Sequence, residues 1–106
     1  SANPRMLEAA SKLLNLNTPP PDILKLAEGC GMSRTRFYQQ FTSTFGVTPR
    51  AYREQEEMRR VRKLLAESDA TLGEICDEIG WKDIFYLSRR FKALFGVTPS
   101  AFRKQH

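Results

Sequence analysis

No apolar run in this chain of 106 residues approaches the roughly 18 needed to cross a bilayer, so no membrane span is expected. No secretory leader is visible. Cysteine is scarce. Cys30 and Cys76 stand far apart, with no third cysteine and no histidine near either. That excludes a zinc pattern and leaves two small apolar fillers in a reduced interior. The one histidine is His106, at the chain end. There is no interior histidine, no carboxylate pair in a plausible cleft and no phosphate-cradling glycine loop, so the usual parts of an enzyme are missing. The sequence therefore reads as a cytoplasmic non-enzyme with no metal and no cofactor.

What is present suits a small helical protein. The hydrophobic fraction of 41% is ordinary, and seven Phe, three Tyr and one Trp can fill a compact core. Lys and Arg outnumber Asp and Glu by 17 to 12, a formal charge of +5, which favours polyanionic partners without proving one.

The stretch Pro49–Ala66 organises the rest. It has no glycine, its only proline sits where a first helical residue is tolerated, and Thr48 can cap it. Tyr52, Gln55, Met58, Val61 (or Arg62) and Leu65 recur at helical spacing, so one stripe can face inward. Eighteen helical residues would span roughly 27 Å.

The chain before this rod predicts three helices. The first runs Pro4–Leu16, capped by Asn3, with Leu7, Ala10, Leu13 and Leu14 inward, and the NTPPP segment ends it. A short second helix, about Asp22–Glu28, buries Ile23, Leu26 and Ala27. After the turn Gly29-Cys30-Gly31, Ser33 caps a third helix over Arg34–Phe45, with Phe37, Phe41 and Phe45 as its spine. Beyond the rod, Thr71 and Glu74 form a capping box for a helix over Leu72–Ile79, with Leu72, Ile75, Cys76 and Ile79 inward. Gly80-Trp81-Lys82 turns the chain, and Asp83 caps a helix over Ile84–Phe95 with Leu87, Phe91, Leu94 and Phe95 inward. Thr98-Pro99 opens a last helix to about Lys104.

The two halves repeat each other. FGVTPRAYREQ, from Phe45 to Gln55, is answered by FGVTPSAFRKQ, from Phe95 to Gln105. Upstream, Leu26-Ala27 matches Ile75-Cys76 and Gly31 matches Gly80, one residue out of step, so the second turn carries an extra residue before Asp83. Short helix, tight glycine turn and longer helix, twice over, read as paired helix-turn-helix units. The expected architecture is all-α: seven helices, with a first subdomain over residues 4–48, a connecting helix over 49–66 and a second subdomain over 67–106. Charge follows the repeat. Gly29–Arg53 holds Arg34, Arg36, Arg50 and Arg53 and no acid. From Ile84 onward the chain holds Arg89, Arg90, Lys92, Arg103 and Lys104 and no acid.

From Leu72 onward the outline is long and specific: small Cys76, Gly80-Trp81, Asp83, Ser88-Arg89, Phe91-Lys92, Phe95-Gly96 and Thr98-Pro99. On these residues the chain resembles the DNA-binding domain of AraC/XylS-family bacterial transcription regulators, over about residues 7–105. The chain departs from the family at Trp81 and Leu87, where Phe is common, and at Glu57, where Arg is usual. The resemblance implies a shared central helix and two recognition helices in successive major grooves of double-stranded DNA. It also implies that a separate sensing or dimerisation domain accompanies this fragment.

Base reading is expected from Arg34, Thr35, Tyr38 and Gln39 in the first unit and from Phe85, Tyr86, Ser88 and Arg89 in the second. Arg can pair with guanine, Gln with adenine, and aromatic faces can meet thymine methyls. Ser33, Thr48, Arg50, Arg90, Thr98 and Ser100 are placed for phosphates. Partial core burial is the competing reading for Phe85 and Tyr86, and simple solvation for Arg36 and Gln40. Trp81 reads as a packing wedge. Glu56 and Glu57 suggest an acidic contact for RNA polymerase. The competing function is a helical adaptor that binds protein.

Overall fold

The computed structural model describes residues 3–105, so Ser1, Ala2 and His106 lie outside the description. The chain is all-α, in the order α1 (Pro4–Leu14), α2 (Ile23–Gly29), α3 (Arg34–Phe45), α4 (Pro49–Glu67), α5 (Leu72–Ile79), α6 (Ile84–Phe95) and α7 (Pro99–Gln105). It divides into two compact units, the first through Gln55 and the second from Glu56, so the division falls inside α4. Two helix-turn-helix units joined by a central helix are thus the architecture.

In the first unit Asn3 caps α1, its Oδ1 accepting the Arg5 N–H at 2.8 Å. The helix stops two residues short of the expected Leu16. Asn15 turns extended, and its Oδ1 accepts the Asn17 N–H at 3.1 Å, so that donor is no longer offered to a further helical turn. The inward stripe also differs. Met6, Ala9, Ala10 and Leu13 are buried, while Leu7 is 51% exposed. Met6 and Leu13 are seven positions apart and so nearly eclipsed on the helix; a face that contains Ala10 and Leu13 takes Met6 rather than Leu7. Asp22 caps α2 instead of beginning it. The core closes with Leu26, Ala27, Cys30, Phe37 and Phe41, with Ile23, Met32, Phe45 and Tyr52 packed at its edge. Tyr52 meets the Phe41 ring edge-on at 5.3 Å, which docks the first turn of α4 on α3.

The second unit repeats the scheme. Met58, Val61 and Leu65 of α4, Ile75 and Cys76 of α5, and Leu87 and Phe91 of α6 form its core, with Trp81, Ile84, Phe95 and Phe102 among the residues packed on it. Val61, not Arg62, is the inward residue; Arg62 instead lays its guanidinium 4.7 Å from the Phe95 ring centre. Phe102 meets Phe91 edge-on at 5.8 Å, as Tyr52 meets Phe41. Leu94 was expected in the spine but is 44% exposed. In the last turn of α6 the packing lies on the Phe95 side, beside Phe91 and under Arg62, and leaves Leu94 outside it.

The two turns are built alike. Gly31 and Gly80 have φ of 68° and 81°, a left-handed conformation that a side chain makes costly. The N–H of each glycine donates three residues back, to Glu28 and Asp77. The following N–H, of Met32 or Trp81, donates at 3.0 Å to the carbonyl of Ala27 or Cys76. This is the helix-ending motif in which an apolar residue after the glycine folds back on the helix it terminates.

Arg53 and Arg103, equivalent in the repeat, perform one task in both units. Arg53 is only 5% exposed and donates to the carbonyls of Leu13 (3.2 Å), Asn15 (3.1 Å) and Thr18 (2.9 Å). Arg103 donates to the carbonyls of Leu65 (3.2 Å), Ala70 (2.6 Å), Ser68 (3.1 Å) and Leu64 (3.5 Å). Each guanidinium donates to carbonyls at the end of one helix and in the turn beyond it, where helical donors run out; of these, Asn15 and Leu64 also accept from a nearby residue, Thr18 and Ser68 respectively.

Two stability predictions follow from these contacts. Arg53→Ala should lower stability by roughly 2–4 kcal/mol in urea unfolding, since three carbonyls lose a charged donor. Arg53→Lys should recover little, because a single ammonium does not reproduce the guanidinium fork. The second concerns Thr71 and Glu74, whose capping box is formed on both sides. The Thr71 backbone and hydroxyl bonds hold the Glu74 carboxyl below the usual glutamate value. That contribution is therefore present above the unfolded value, about 4.3, and is lost as pH falls through the depressed folded one. Glu74→Gln should flatten that part of the acid-unfolding profile.

Candidate nucleic-acid interface

Each unit offers the outer face of its second helix-turn-helix helix. On α3, Phe37 and Phe41 point inward, so Thr35 and Gln39, one turn apart, stand on the opposite side. Both are exposed, as are Arg34 and Arg36; Tyr38 and Gln40 are half-buried on the flanks. On α6 the inward pair is Leu87 and Phe91, and the outward pair is Phe85 and Arg89. Phe85 is 73% exposed, which answers the core-burial alternative for that residue. Tyr86 is 37% exposed, Ser88 is half-buried and Arg90 is exposed.

The outward chemistry of the two units therefore differs. The first presents a hydroxyl and an amide between two arginines. The second presents a bare phenyl ring, a guanidinium and a stacked aromatic pair. Trp81 and Tyr86 stack with ring centres 5.5 Å apart at 23°, and the Arg89 guanidinium lies 5.8 Å from the Tyr86 ring centre. Trp81 is half-buried against the second core, as a wedge would be.

Local capping fixes where these helices begin. Ser33 Oγ accepts the Arg36 N–H at 3.2 Å, and Asp83 Oδ1 accepts the N–H groups of Phe85 and Tyr86 at 2.9 and 3.1 Å. Thr48 and Thr98 do the same for α4 and α7, accepting from Ala51 at 3.2 Å and Ala101 at 3.1 Å. Their oxygens are thereby engaged, while each hydroxyl keeps a proton to donate. Thr48, Arg50 and Ser100 are exposed, and Thr98 is half-buried.

Two sequence expectations need correction. Arg53 and Arg103 were counted with the basic face, but their guanidinium groups are spent on backbone carbonyls of their own unit. Glu57 was paired with Glu56 as an acidic surface for polymerase; it is 6% exposed, and Glu56 pairs with Arg59 at 2.9 Å. The position of Arg53 and Arg103 in both copies of the repeat was the one available signal of their role. Repetition with the cap, the proline and the aromatic residue marks a packing position as readily as a contact. Glu57 carried no such signal.

Among the described residues no group of three or more His, Cys, Asp or Glu could hold a metal ion, and no helix is long and apolar enough to cross a membrane. Both thiols are buried, and burial pushes each above its ordinary value.

Paired helix-turn-helix units with a cationic, exposed outer helix face define a class. The chain belongs to the helix-turn-helix domain family, which matches it over residues 26–105. It is 29% identical over 90 residues to the HTH-type transcriptional regulator AlkR of Acinetobacter baylyi, covering 85% of this chain and 29% of AlkR. The chain thus spans less than a third of that relative's length. Among solved structures it is similar to the C-terminal domain of AraT, a response regulator from Geobacillus stearothermophilus. The TM-score is 0.85 at 19% identity, over 98% of this chain and 87% of that one. It is similar too to the DNA-binding domain of AdpA, a global transcriptional factor in complex with a target DNA. There the TM-score is 0.84 at 24% identity, over 97% and 93% of the two chains. At these identities the structural likeness is one of fold.

Proposed function

We propose that this chain is the DNA-binding part of an AraC/XylS-type bacterial transcription regulator, and that α3 and α6 are its two recognition helices, entering successive major-groove segments of one duplex. The observation that carries this reading is the repetition of the outward face. Two helix-turn-helix units each expose the first turns of their second helix, with Arg34, Thr35 and Gln39 on one and Phe85 and Arg89 on the other. The major groove admits one helix, and B-DNA presents it again about every 34–36 Å. The 19-residue α4, about 28 Å long at the usual helical rise, supplies a continuous connector. The AdpA domain, which shares the fold, was solved with its target DNA, and this supports the same use here.

In this reading Arg34, Thr35, Tyr38 and Gln39, and Phe85, Ser88 and Arg89, meet base edges. Ser33, Thr48, Arg50, Arg90, Thr98 and Ser100 meet phosphates. A sensing or dimerisation domain elsewhere in the protein would decide when the site is occupied; RNA polymerase is then a partner of the whole protein.

Selection of bound sequences from a random duplex library tests the reading. On the selected duplex, Arg34→Ala or Arg89→Ala should cost about 1–3 kcal/mol and relax one base preference each, while Arg50→Ala should weaken all duplexes alike and reduce the salt slope by about one. Affinity should fall steeply with salt, by roughly 0.9 in log K per log salt for each phosphate neutralised. Equal losses on every sequence for Arg34→Ala and Arg89→Ala would make them phosphate clamps. A slope near zero would contradict the electrostatic part.

A further inference from the structure

We infer that Tyr86 is a positioning residue rather than a base reader: stacked on Trp81, its ring holds the Arg89 guanidinium in one orientation on the outer face of α6. The inference rests on the proposed function for its consequence and on geometry alone for the stack. Trp81 is the fixed end. Its N–H donates to the Cys76 carbonyl at 3.0 Å, its own carbonyl accepts the Cys76 thiol at 3.0 Å, and its side chain packs on the second core. Tyr86 lies nearly parallel on it, 5.5 Å away at 23°. Arg89, three residues on and therefore on a neighbouring line of the same helix, brings its guanidinium carbon to 5.8 Å from the Tyr86 centre. A cation over an aromatic face is attracted by the ring quadrupole, and a guanidinium stacks there better than an ammonium.

The consequence is one of freedom. A solvated arginine loses much rotamer entropy when it docks on a base, and one already confined loses less. The first unit has Met32, Arg36 and Gln39 at the three equivalent positions. A side-chain amide needs no such support, having fewer torsions to fix. A ring engaged by Trp81 and Arg89 is also poorly placed to meet a thymine methyl. That task falls to Phe85, which is 73% exposed on the outward line.

Tyr86→Phe keeps the ring and removes the hydroxyl; Tyr86→Leu keeps apolar bulk and removes the ring. In the DNA-free chain, the NMR shifts of the Arg89 Cδ and Nε protons should be displaced by the ring. They should stay displaced in Tyr86→Phe and move toward free-arginine values in Tyr86→Leu. On the duplex selected by the wild-type chain, Tyr86→Phe should bind as wild type and Tyr86→Leu about two- to five-fold more weakly. Binding of Tyr86→Leu to a random-sequence duplex should be unchanged. In Arg89→Ala the Leu substitution should cost nothing further. Matching thermal melts of the two Tyr86 variants exclude misfolding, and Trp81→Phe, which keeps an aromatic base for the stack, should retain most of the Arg89 shift.

Unchanged Arg89 shifts in Tyr86→Leu would overturn the inference, as would full additivity with Arg89→Ala. A loss in Tyr86→Phe equal to that in Tyr86→Leu would also overturn it, by making the hydroxyl the reader. If the wild-type chain selected no sequence, the functional reading would fail while the proton shifts still decided the stack.

Discussion

A guanidinium turned away from solvent and onto backbone carbonyls closes each half of this protein. Arg53 joins the first turns of α4 to the end of α1 and the turn after it; Arg103 joins α7 to the end of α4 and the turn after that. In both cases the helix that follows a helix-turn-helix is tied to the helix that precedes it. A helix end leaves carbonyls without partners, and burying them unsatisfied would be costly. One planar fork donates to three or four carbonyls at such an end at once. The short helices α2 and α5, of seven and eight residues, have little stability of their own. They persist because the unit around them is closed.

Closure also explains the outward faces. With Phe37, Phe41 and Tyr52 packed together in one unit, and Leu87, Phe91 and Phe102 in the other, α3 and α6 have a single inward side. Their opposite sides are then set by helical geometry, and sequence is free to differ there. It does differ: Thr35 and Gln39 offer hydrogen-bonding groups, whereas Phe85 and Arg89 offer an apolar ring and a cation. Two units with one skeleton can in this way carry two chemistries, and the proposed DNA site would be asymmetric in what is read at its two ends.

Much of the fold was legible because local signals agreed with each other. The bounds of α3, α5 and α6 follow from Ser33, Thr71 and Asp83 as caps and from glycines that end or follow them. The left-handed turns follow from Gly31 and Gly80. Helix α1 was less legible. A stripe chosen by its leucines takes Leu7 and Leu14, whereas the face through Ala10 and Leu13 takes Met6, and its last turn was decided by Asn15 and by the distant Arg53. Leu94 was misplaced for a different reason: the side on which α6 packs in its last turn depends on the next helix, through Phe102, and on the distant Arg62, neither of which the periodicity of α6 itself contains. For the interface, exposure of Arg34, Thr35, Gln39, Phe85 and Arg89 was readable from the spacing of the buried residues. The burial of Arg53 and Glu57, and the turning of half-buried Arg103 onto backbone carbonyls, were not, because charge says nothing about which way a side chain turns. Nor did the sequence separate Tyr86 from its neighbours; its stack on Trp81 comes from the turn geometry.

Hydroxyl-radical footprinting on the duplex selected by the chain tests the central claim most directly. Two protected windows on one face, separated by one helical turn of about 10–10.5 base pairs, are the result this account predicts. A single window no wider than one groove segment would contradict it.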